Sequence, residues 1–294
     1  MIDTHAHLNF PQLLSKIDKV VEESKKAGLT GIIVASSNLE DSKRAVELSK
    51  KYPGFLWASV GIHPQKTDPE NKNSIKGQIA QLEQFLHLHP RGVAGMTPRG
   101  CSTSVVAIGE TGIDFSPPPP GEEQRSKKEQ EELFLGQIKL ALKYGLSLVV
   151  HSREANDEVI KTLLDFGNRN LNTSDGGPEG LLRGEVNLRG VFHCYSGGKK
   201  RIQKVLDLPG EWYFGVDGNL TYDPGLQNVV KLIPKDRLVL ETDAPFLPPE
   251  PYRGQANTPA YLPLIAEKVA ELWQTNIAEA IKKTVENTKR LFGI

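Results

Sequence analysis

Eight short apolar runs, separated by amphipathic stretches, constrain the fold of this chain more than any other feature. The first run covers residues 1–8, and the others cover 31–35, 55–61, 105–109, 146–150, 188–192, 212–216 and 238–240. Runs this short, with apolar residues at both odd and even positions, are typical of strands that are covered on both faces, as in parallel sheets. Helix-like stretches follow them at 11–27, 39–51, 74–87, 123–144, 154–166, 199–206, 224–232 and 260–272, with a last one at 277–291. The alternation predicts an α/β fold, a TIM-type (β/α)8 barrel.

The length of the chain suits one barrel of this kind. With 294 residues, it predicts a single domain over 1–294. Gly, Pro and small polar residues predict insertions near 89–104 and 168–187, and four consecutive prolines at 117–120 predict a stiff loop. None of these stretches resembles a linker between two independent cores.

Composition narrows the class of protein. Lys plus Arg and Asp plus Glu number 36 each, so no global basic field attracts nucleic acid, although a local basic rim stays possible. The two cysteines, Cys101 and Cys194, are too few for a disulfide framework. The polar opening has no signal-peptide pattern, and no apolar run approaches the roughly 20 residues that span a bilayer. We therefore expect an intracellular, cytoplasmic protein without a membrane partner.

The strongest local signal is the pair His5 and His7 in the first strand run. Residues i and i+2 of a strand point to the same side, so the two imidazoles form a ready pair of metal ligands. Placing two such rings inside an apolar barrel is costly unless something binds them. On its own, the pair is as compatible with two surface histidines as with two metal ligands.

Other ligand-type residues end further strand runs. Parallel barrels build their active sites at the C-terminal ends of the strands, where four of the seven histidines fall, and His63 makes a fifth. One such histidine is usually structural, but a group of this size together with two carboxylates predicts a metal cluster. Its expected ligands are His5, His7, Glu110, His151, His193 and Asp243.

The predicted ligand set is too large for one tetrahedral ion. Glu110 lies on the middle strand of the set, and its carboxylate could bridge two ions. A pair of metals roughly 4 Å apart could clamp and activate a water. The mixed nitrogen and oxygen donors suit Zn²⁺, Mn²⁺, Co²⁺ or Fe²⁺, and suit Mg²⁺ less well. We expect two divalent ions, with Mg²⁺, Mn²⁺ and Zn²⁺ all open.

The same strand ends carry a family resemblance. The arrangement resembles the amidohydrolase superfamily, and the flanking residues narrow the resemblance to the TatD family of metal-dependent deoxyribonucleases. Seven blocks in order carry it, at 3–8 (DTHAHL), 60–64 (VGIHP), 107–115 (AIGETGIDF), 150–155 (VHSREA), 192–197 (FHCYSG), 240–245 (LETDAP) and 252–262 (YRGQANTPAYL).

This resemblance implies a ligand assignment and an activity. His5, His7, Glu110 and Asp243 would hold one metal, and Glu110, His151 and His193 the other. The implied reaction is phosphodiester hydrolysis of DNA, as single strands or at 3′ ends, by a 3′→5′ exonuclease that needs Mg²⁺ or Mn²⁺. The sequence gives no sign of an obligate protein partner.

The block at 253–259 (RGQANTP) departs from the family pattern. Thr258 replaces an acidic residue, and Ala256 stands where a basic one is common. Phe115 replaces a common Tyr. The first two departures concern the substrate rim rather than the metal site.

Further residues receive provisional roles from their positions. Asp243 is either ligand and general base together or a ligand alone, and Glu110 is the second catalytic candidate. Glu241 shares a strand face with Asp243 and is expected to orient a ligand histidine, and Asp3 and Asp114 are expected to support the ligands. Substrate contacts are expected from His63, Arg153, Arg253 and Asn257. The basic run Lys199, Lys200 and Arg201 suits a solvated face or a phosphate contact.

Three classes of function remain open at this point. The leading one is a two-metal phosphodiesterase acting on nucleic acid. An amidohydrolase that cleaves a C–N or ester bond in a small molecule would use the same ligands. A non-catalytic metal-binding or nucleic-acid-binding protein is the third, and the intact ligand set argues against it.

Overall fold

Eight parallel strands form one sheet in sequence order. The structure, a computed structural model, describes residues 1–66, 74–89, 105–118, 124–172 and 188–294, and for 169–172 the backbone alone. The strands are β1 (Ile2–Ala6), β2 (Gly31–Val34), β3 (Leu56–Val60), β4 (Val105–Asp114), β5 (Ser147–Arg153), β6 (Arg189–Phe192), β7 (Glu211–Val216) and β8 (Leu238–Leu240). A parallel bridge between Ala6 and Ala244 joins the two ends of the sheet. The predicted (β/α)8 barrel is confirmed.

Helices alternate with these strands. Within the described ranges they are α1 (Pro11–Leu14), α2 (Ile17–Lys26), α3 (Leu39–Lys51), α4 (Ile75–Leu88), α5 (Lys127–Tyr144), α6 (Asn156–Asn172), α7 (Lys199–Leu206), α8 (Pro224–Val230), α9 (Leu262–Trp273) and α10 (Ile277–Phe292). In the part of the chain that the structure describes, no helix is both long enough and apolar enough to cross a membrane.

The strands bury side chains on both faces, as their apolar runs predict. Ile32 and Val34 pack outward in the large cluster shared with the helices, whereas Ile33 belongs to a separate inner cluster. Leu291 and Phe292, at the end of α10, join that inner cluster. Ser147, the first residue of β5, also donates a hydrogen bond to the carbonyl of Leu291. The last helix therefore covers the N-terminal end of the barrel and leaves the opposite end for the site.

Two of the differences between the predicted and the observed helices have a local cause. The stretch at 11–27 forms two helices, because Lys16, with φ −131°, leaves the helical region between them. The stretch predicted from 123 begins at Lys127, where Ser126 and Glu129 form a capping box that satisfies the first free N–H groups.

The predicted insertions are only partly described. The prediction of an insertion from residue 168 was wrong for its first five residues, because α6 continues to Asn172. Its remainder, 173–187, lies outside the described residues, as do 90–104 of the first insertion and 119–120 of the proline run.

Candidate metal centre

The ends of β1 and β8 bring the first ligand-type side chains together. Asp243 N–H donates to the carbonyl of His5 at 2.9 Å, and His7 N–H donates to the carbonyl of Ala244 at 2.7 Å. Asp243 itself has a φ of 55°, in the left-handed region, just after β8. This pairing fixes the Asp243 carboxylate beside the imidazoles of His5, in β1, and His7, just after it.

Four side chains present donor atoms to one point. His5 Nε2 lies 3.3 Å from His7 Nε2, 3.4 Å from Glu110 Oε1 and 3.5 Å from Asp243 Oδ1, and His7 Nε2 lies 3.3 Å from Asp243 Oδ1. Metal–ligand bonds of about 2.0–2.1 Å in a tetrahedron separate neighbouring donors by roughly 3.3 Å. These side chains could therefore hold a zinc-sized ion with little movement.

A second group of donors adjoins the first. His193 Nε2 lies 3.2 Å from Glu110 Oε1 and 3.1 Å from His151 Nδ1, and His151 Nδ1 lies 4.0 Å from Glu110 Oε1. The rings of His5 and His193 stack with centroids 4.3 Å apart. Glu110 thus contacts donors of both groups, and the two groups form one continuous cluster.

Glu110 reaches this position through an irregular stretch of β4. The expectation that it ends the strand was wrong, since β4 continues to Asp114 in register with β5. The register shifts between Ile108 and Thr111. A Cβ on Gly109 would lie only 2.5 Å from the Cβ of Val149, so glycine lets β4 and β5 approach closely beside Glu110.

For Glu110 and His193, the electrostatics favour the protonation states that metal binding requires. Burial acts to raise the pKa of Glu110, but His7 and His5 hold that pKa well below its ordinary value. Burial, and then the neighbouring His5, hold the pKa of His193 well below its ordinary value. An ionised carboxylate and a neutral imidazole both offer lone pairs to a cation.

The Asp114 carboxylate contacts His151. Its Oδ2 lies 3.0 Å from His151 Nε2, while its Oδ1 accepts hydrogen bonds from the Ser116 N–H and hydroxyl at 2.9 and 2.6 Å. Burial acts to raise the pKa of Asp114, but the bonds to His151 and Ser116 bring it to about 2. The carboxylate is therefore charged, and it occupies the ring nitrogen of His151 that does not face Glu110.

Asp3 supports the site through the backbone. Its Oδ1 accepts from the N–H groups of His5 and Thr242 at 3.1 and 3.0 Å, and its Oδ2 accepts from the Thr242 hydroxyl at 2.6 Å. Burial raises the pKa of Asp3 to about 7. Asp3 ties β1 to the segment after β8 and so holds Asp243 next to His5.

Glu241 contacts the backbone next to His193. Its carboxylate accepts a hydrogen bond from the backbone N–H of Cys194, and its other oxygen lies 3.4 Å from the Thr4 hydroxyl. This contact fixes the backbone that follows His193, and the expectation that Glu241 orients a ligand histidine stays a prediction. Burial, and then Asp217, raise the pKa of the Cys194 thiol well above its ordinary value, which favours the packed thiol over a nucleophile.

The predicted substrate contacts lie in different environments. His63 packs edge-on against the His151 ring at 4.4 Å, and burial, then His151, lower its pKa to about 3. Arg153 is exposed at the end of β5. Arg253 is also exposed, with its guanidinium 4.1 Å from the Tyr222 ring centroid.

Asn257 lies beneath the loop instead of lining a cleft. It is 1% exposed, and its amide donates to the carbonyls of Thr242, Phe246 and Leu247. The expected substrate contact from Asn257 was wrong, because its donors already bind backbone.

Three residues near the site were missed by the sequence reasoning. Phe10 packs on His7 with ring centroids 4.6 Å apart, and Phe246 contacts both rings at 5.9 Å. Asp217, directly after β7, is 2% exposed and accepts from the Asn219 N–H at 2.7 Å. The position of Asp217 after a strand could have identified it from the sequence as a site residue, whereas the two phenylalanines resembled core residues.

Comparison with known proteins places this architecture in a family. The model of the TatD related DNase family matches residues 2–293. YabD of Bacillus subtilis, named a metal-dependent hydrolase, is 30% identical, with 100% of this chain and 99% of YabD covered. TatD of Edwardsiella piscicida, named a 3′-5′ ssDNA/RNA exonuclease, is 31% identical, with 99% of this chain and 98% of that protein covered.

Solved structures agree with this placement. The crystal structure of YjjV, a TatD homologue from Escherichia coli, is 27% identical, with a TM-score of 0.78 over 100% of this chain and 98% of YjjV. An Escherichia coli phosphotriesterase homology protein at 12% identity, with a TM-score of 0.62 over 99% of this chain and 98% of that protein, shares the fold. This chain belongs to the TatD related DNase family, a family of metal-dependent hydrolases.

Proposed function

We propose that this protein hydrolyses phosphodiester bonds of single-stranded nucleic acid from the 3′ end, with two divalent ions held by the six clustered residues. The observation that carries the proposal is the position of Glu110 Oε1, 3.4 Å from His5 Nε2 and 3.2 Å from His193 Nε2. One carboxylate in contact with both donor groups is suited to bridging two ions. The names of the family and of the Edwardsiella relative support nucleic acid as the substrate.

The donor chemistry fits such ions. Four imidazoles and two carboxylates match Zn²⁺ or Mn²⁺, and Mg²⁺ would depend on the carboxylates. When bound, the pair would supply Lewis acidity toward a phosphoryl oxygen and a more acidic water. The site would be His5, His7, Glu110 and Asp243 for one ion, and Glu110, His151 and His193 for the other.

Asp243 is the best-placed proton acceptor in this cluster. Its side chain is 14% exposed, compared with 7% for Glu110, and it lies after β8 at the open end of the barrel. We assign Asp243 the proton of the attacking water, in addition to its role as a ligand. Glu110 is enclosed by imidazoles and is left to hold the two donor groups together.

Arg153 and His63 would contact the substrate phosphate in different ways. Arg153 is exposed beside the His151 strand end and can present forked donors to phosphate oxygens. His63 is neutral at physiological pH because of its low pKa, so it would offer a hydrogen bond rather than a charge. Exposed cations at the rim suit an anionic polymer better than the closed apolar pocket that a small-molecule amidohydrolase would need.

The direct test is digestion of 5′-labelled oligonucleotides by the purified protein with Mn²⁺, Mg²⁺ or Zn²⁺. Single-stranded DNA and RNA should shorten stepwise from the 3′ end, faster than blunt duplex DNA. An Asp243→Asn variant should bind substrate but lose most turnover. Failure to hydrolyse any DNA, RNA or simple phosphodiester with every ion would overturn the proposal.

A further inference from the structure

One aromatic ring stands exposed beside the metal ligands. Phe246 is 46% exposed. It is the one aromatic residue among the large exposed apolar residues of the described chain, the others being Leu88, Leu164, Leu232 and Ile277. Burying a phenylalanine normally stabilises a fold, so an exposed ring near a candidate site points to a binding role.

The surroundings of Phe246 form a small aromatic surface that reaches the ligands. Its ring centroid lies 5.9 Å from that of His7 and 5.9 Å from that of Phe10, with interplanar angles of 74° and 87°. Phe10 in turn packs on His7 at 4.6 Å. Both contacts of Phe246 are edge-type, so the described rings leave it surface for a parallel partner.

The backbone that carries Phe246 is held firmly. Its N–H donates to the carbonyl of Asp243 at 2.8 Å, and its carbonyl accepts from the Asn257 amide at 2.7 Å. Asn257 is buried and also binds the carbonyl of Leu247. The loop therefore presents the exposed ring in a fixed position three residues beyond a metal ligand.

We propose that Phe246 and Phe10 form a nucleobase-binding subsite, in which a base next to the scissile phosphate stacks on Phe246. This inference rests on the proposed function, because a phosphate between the two donor groups brings its attached nucleoside beside His7. Stacking on an aromatic ring accepts any base, since every base has a π-face. The subsite would favour unpaired nucleotides, because a base in a duplex is already stacked on its neighbours.

The test compares three variants of one residue, Phe246→Ala, Phe246→Leu and Phe246→Tyr. Each variant is assayed on three single-stranded oligonucleotides. One carries normal nucleotides only, and the other two carry an abasic tetrahydrofuran residue on one or the other side of the scissile phosphate. Stacking predicts that Phe246→Ala and Phe246→Leu lower kcat/KM for the normal oligonucleotide by roughly 5- to 100-fold. Phe246→Tyr should retain nearly wild-type kcat/KM.

The abasic substrate supplies the specific readout. On the oligonucleotide that lacks the stacked base, wild type and Phe246→Ala should have similar kcat/KM values. Leu232→Ala is the matched control, because Leu232 is 54% exposed and follows α8 at its far end from the site. Metal content and thermal midpoint check folding, and the Leu and Tyr variants decide the question if Phe246→Ala does not fold.

The outcomes separate this inference from the proposed function. If Phe246→Ala lowers kcat/KM equally on the normal and on both abasic oligonucleotides, or if Phe246→Leu keeps the wild-type kcat/KM, the subsite is overturned. Either result would leave the proposed phosphodiesterase activity intact. No hydrolysis by the wild-type protein would instead overturn the proposed function, and the subsite with it.

Discussion

The carboxylate of Asp114 lies 3.0 Å from Nε2 of His151, while Nδ1 of the same ring lies 3.1 Å from His193 Nε2. His5, His7 and His193 all turn Nε2 toward the ligand cluster, so His151 is the exception among the candidate ligands. A charged carboxylate on Nε2 favours the tautomer that leaves Nδ1 as a free lone pair. Asp114 therefore orients the ring of this candidate ligand.

Replacing Asp114 should weaken metal binding without removing a ligand. Loss of a carboxylate that orients a metal-binding histidine typically costs about 10- to 100-fold in metal affinity. We expect that loss for Asp114→Ala, and a smaller one for Asp114→Asn, which keeps an acceptor oxygen. Calorimetric titration with Mn²⁺ measures it, and Asp157→Ala on the surface of α6 is the control. Unchanged affinity in Asp114→Ala would refute the orienting role.

Removing the Arg153 side chain should weaken the substrate interaction in a salt-dependent way. A phosphate contact to single-stranded nucleic acid contributes about 0.7 to the slope of log affinity against log salt concentration. For Arg153→Ala we expect a several-fold lower kcat/KM on oligonucleotides and a salt slope that is shallower by about that amount. Arg290→Ala, on the exposed end of α10 away from the site, is the control. A slope equal to that of wild type would show that Arg153 does not contact a substrate phosphate.

Asp217 should make stability depend on pH. Burial raises its pKa to about 6, from an ordinary value of 3.8. The folded state therefore binds this proton more tightly than the unfolded state, so the stabilisation is complete below about pH 4 and is lost as pH rises through about 6. The full change corresponds to up to about 3 kcal/mol.

The measurement is urea unfolding of wild type and Asp217→Asn in chelator, at pH 4.5 and pH 7. Asn keeps the acceptor for the Asn219 N–H but does not titrate. The free energy of unfolding of wild type relative to the variant should fall between these two pH values. A difference that is constant with pH would show that the Asp217 pKa is not raised.

The barrel and the ligand cluster were both readable from the sequence, for a shared physical reason. Strands covered on both faces must be apolar, so polar residues such as His151, near the C-terminal end of β5, and His193, just after β6, stand out. The parallel order brings all strand ends to one side, which predicts their meeting without any knowledge of loops.

Residues on the loops were predicted less well. Asn257 and Glu241 are polar and near ligands in sequence, but both bind backbone in the structure, at Phe246 and Cys194 respectively. Phe246, in the sequence DAPFL, resembles a core residue, and only the path of the loop after β8 exposes it. Sequence patterns report periodicity within helices and strands, whereas the direction of a loop side chain depends on long-range hydrogen bonds.

We propose that Glu110 joins two metal ions in one catalytic site. The most direct measurement is the number of ions bound per chain, by elemental analysis at matched free Mn²⁺, for wild type and Glu110→Ala, alongside oligonucleotide hydrolysis by the same samples. A bridging Glu110 predicts two ions in the active wild-type protein, and at most one in Glu110→Ala with hydrolysis abolished. Full activity with a single ion per chain, or near wild-type turnover in Glu110→Ala with both ions retained, would contradict it.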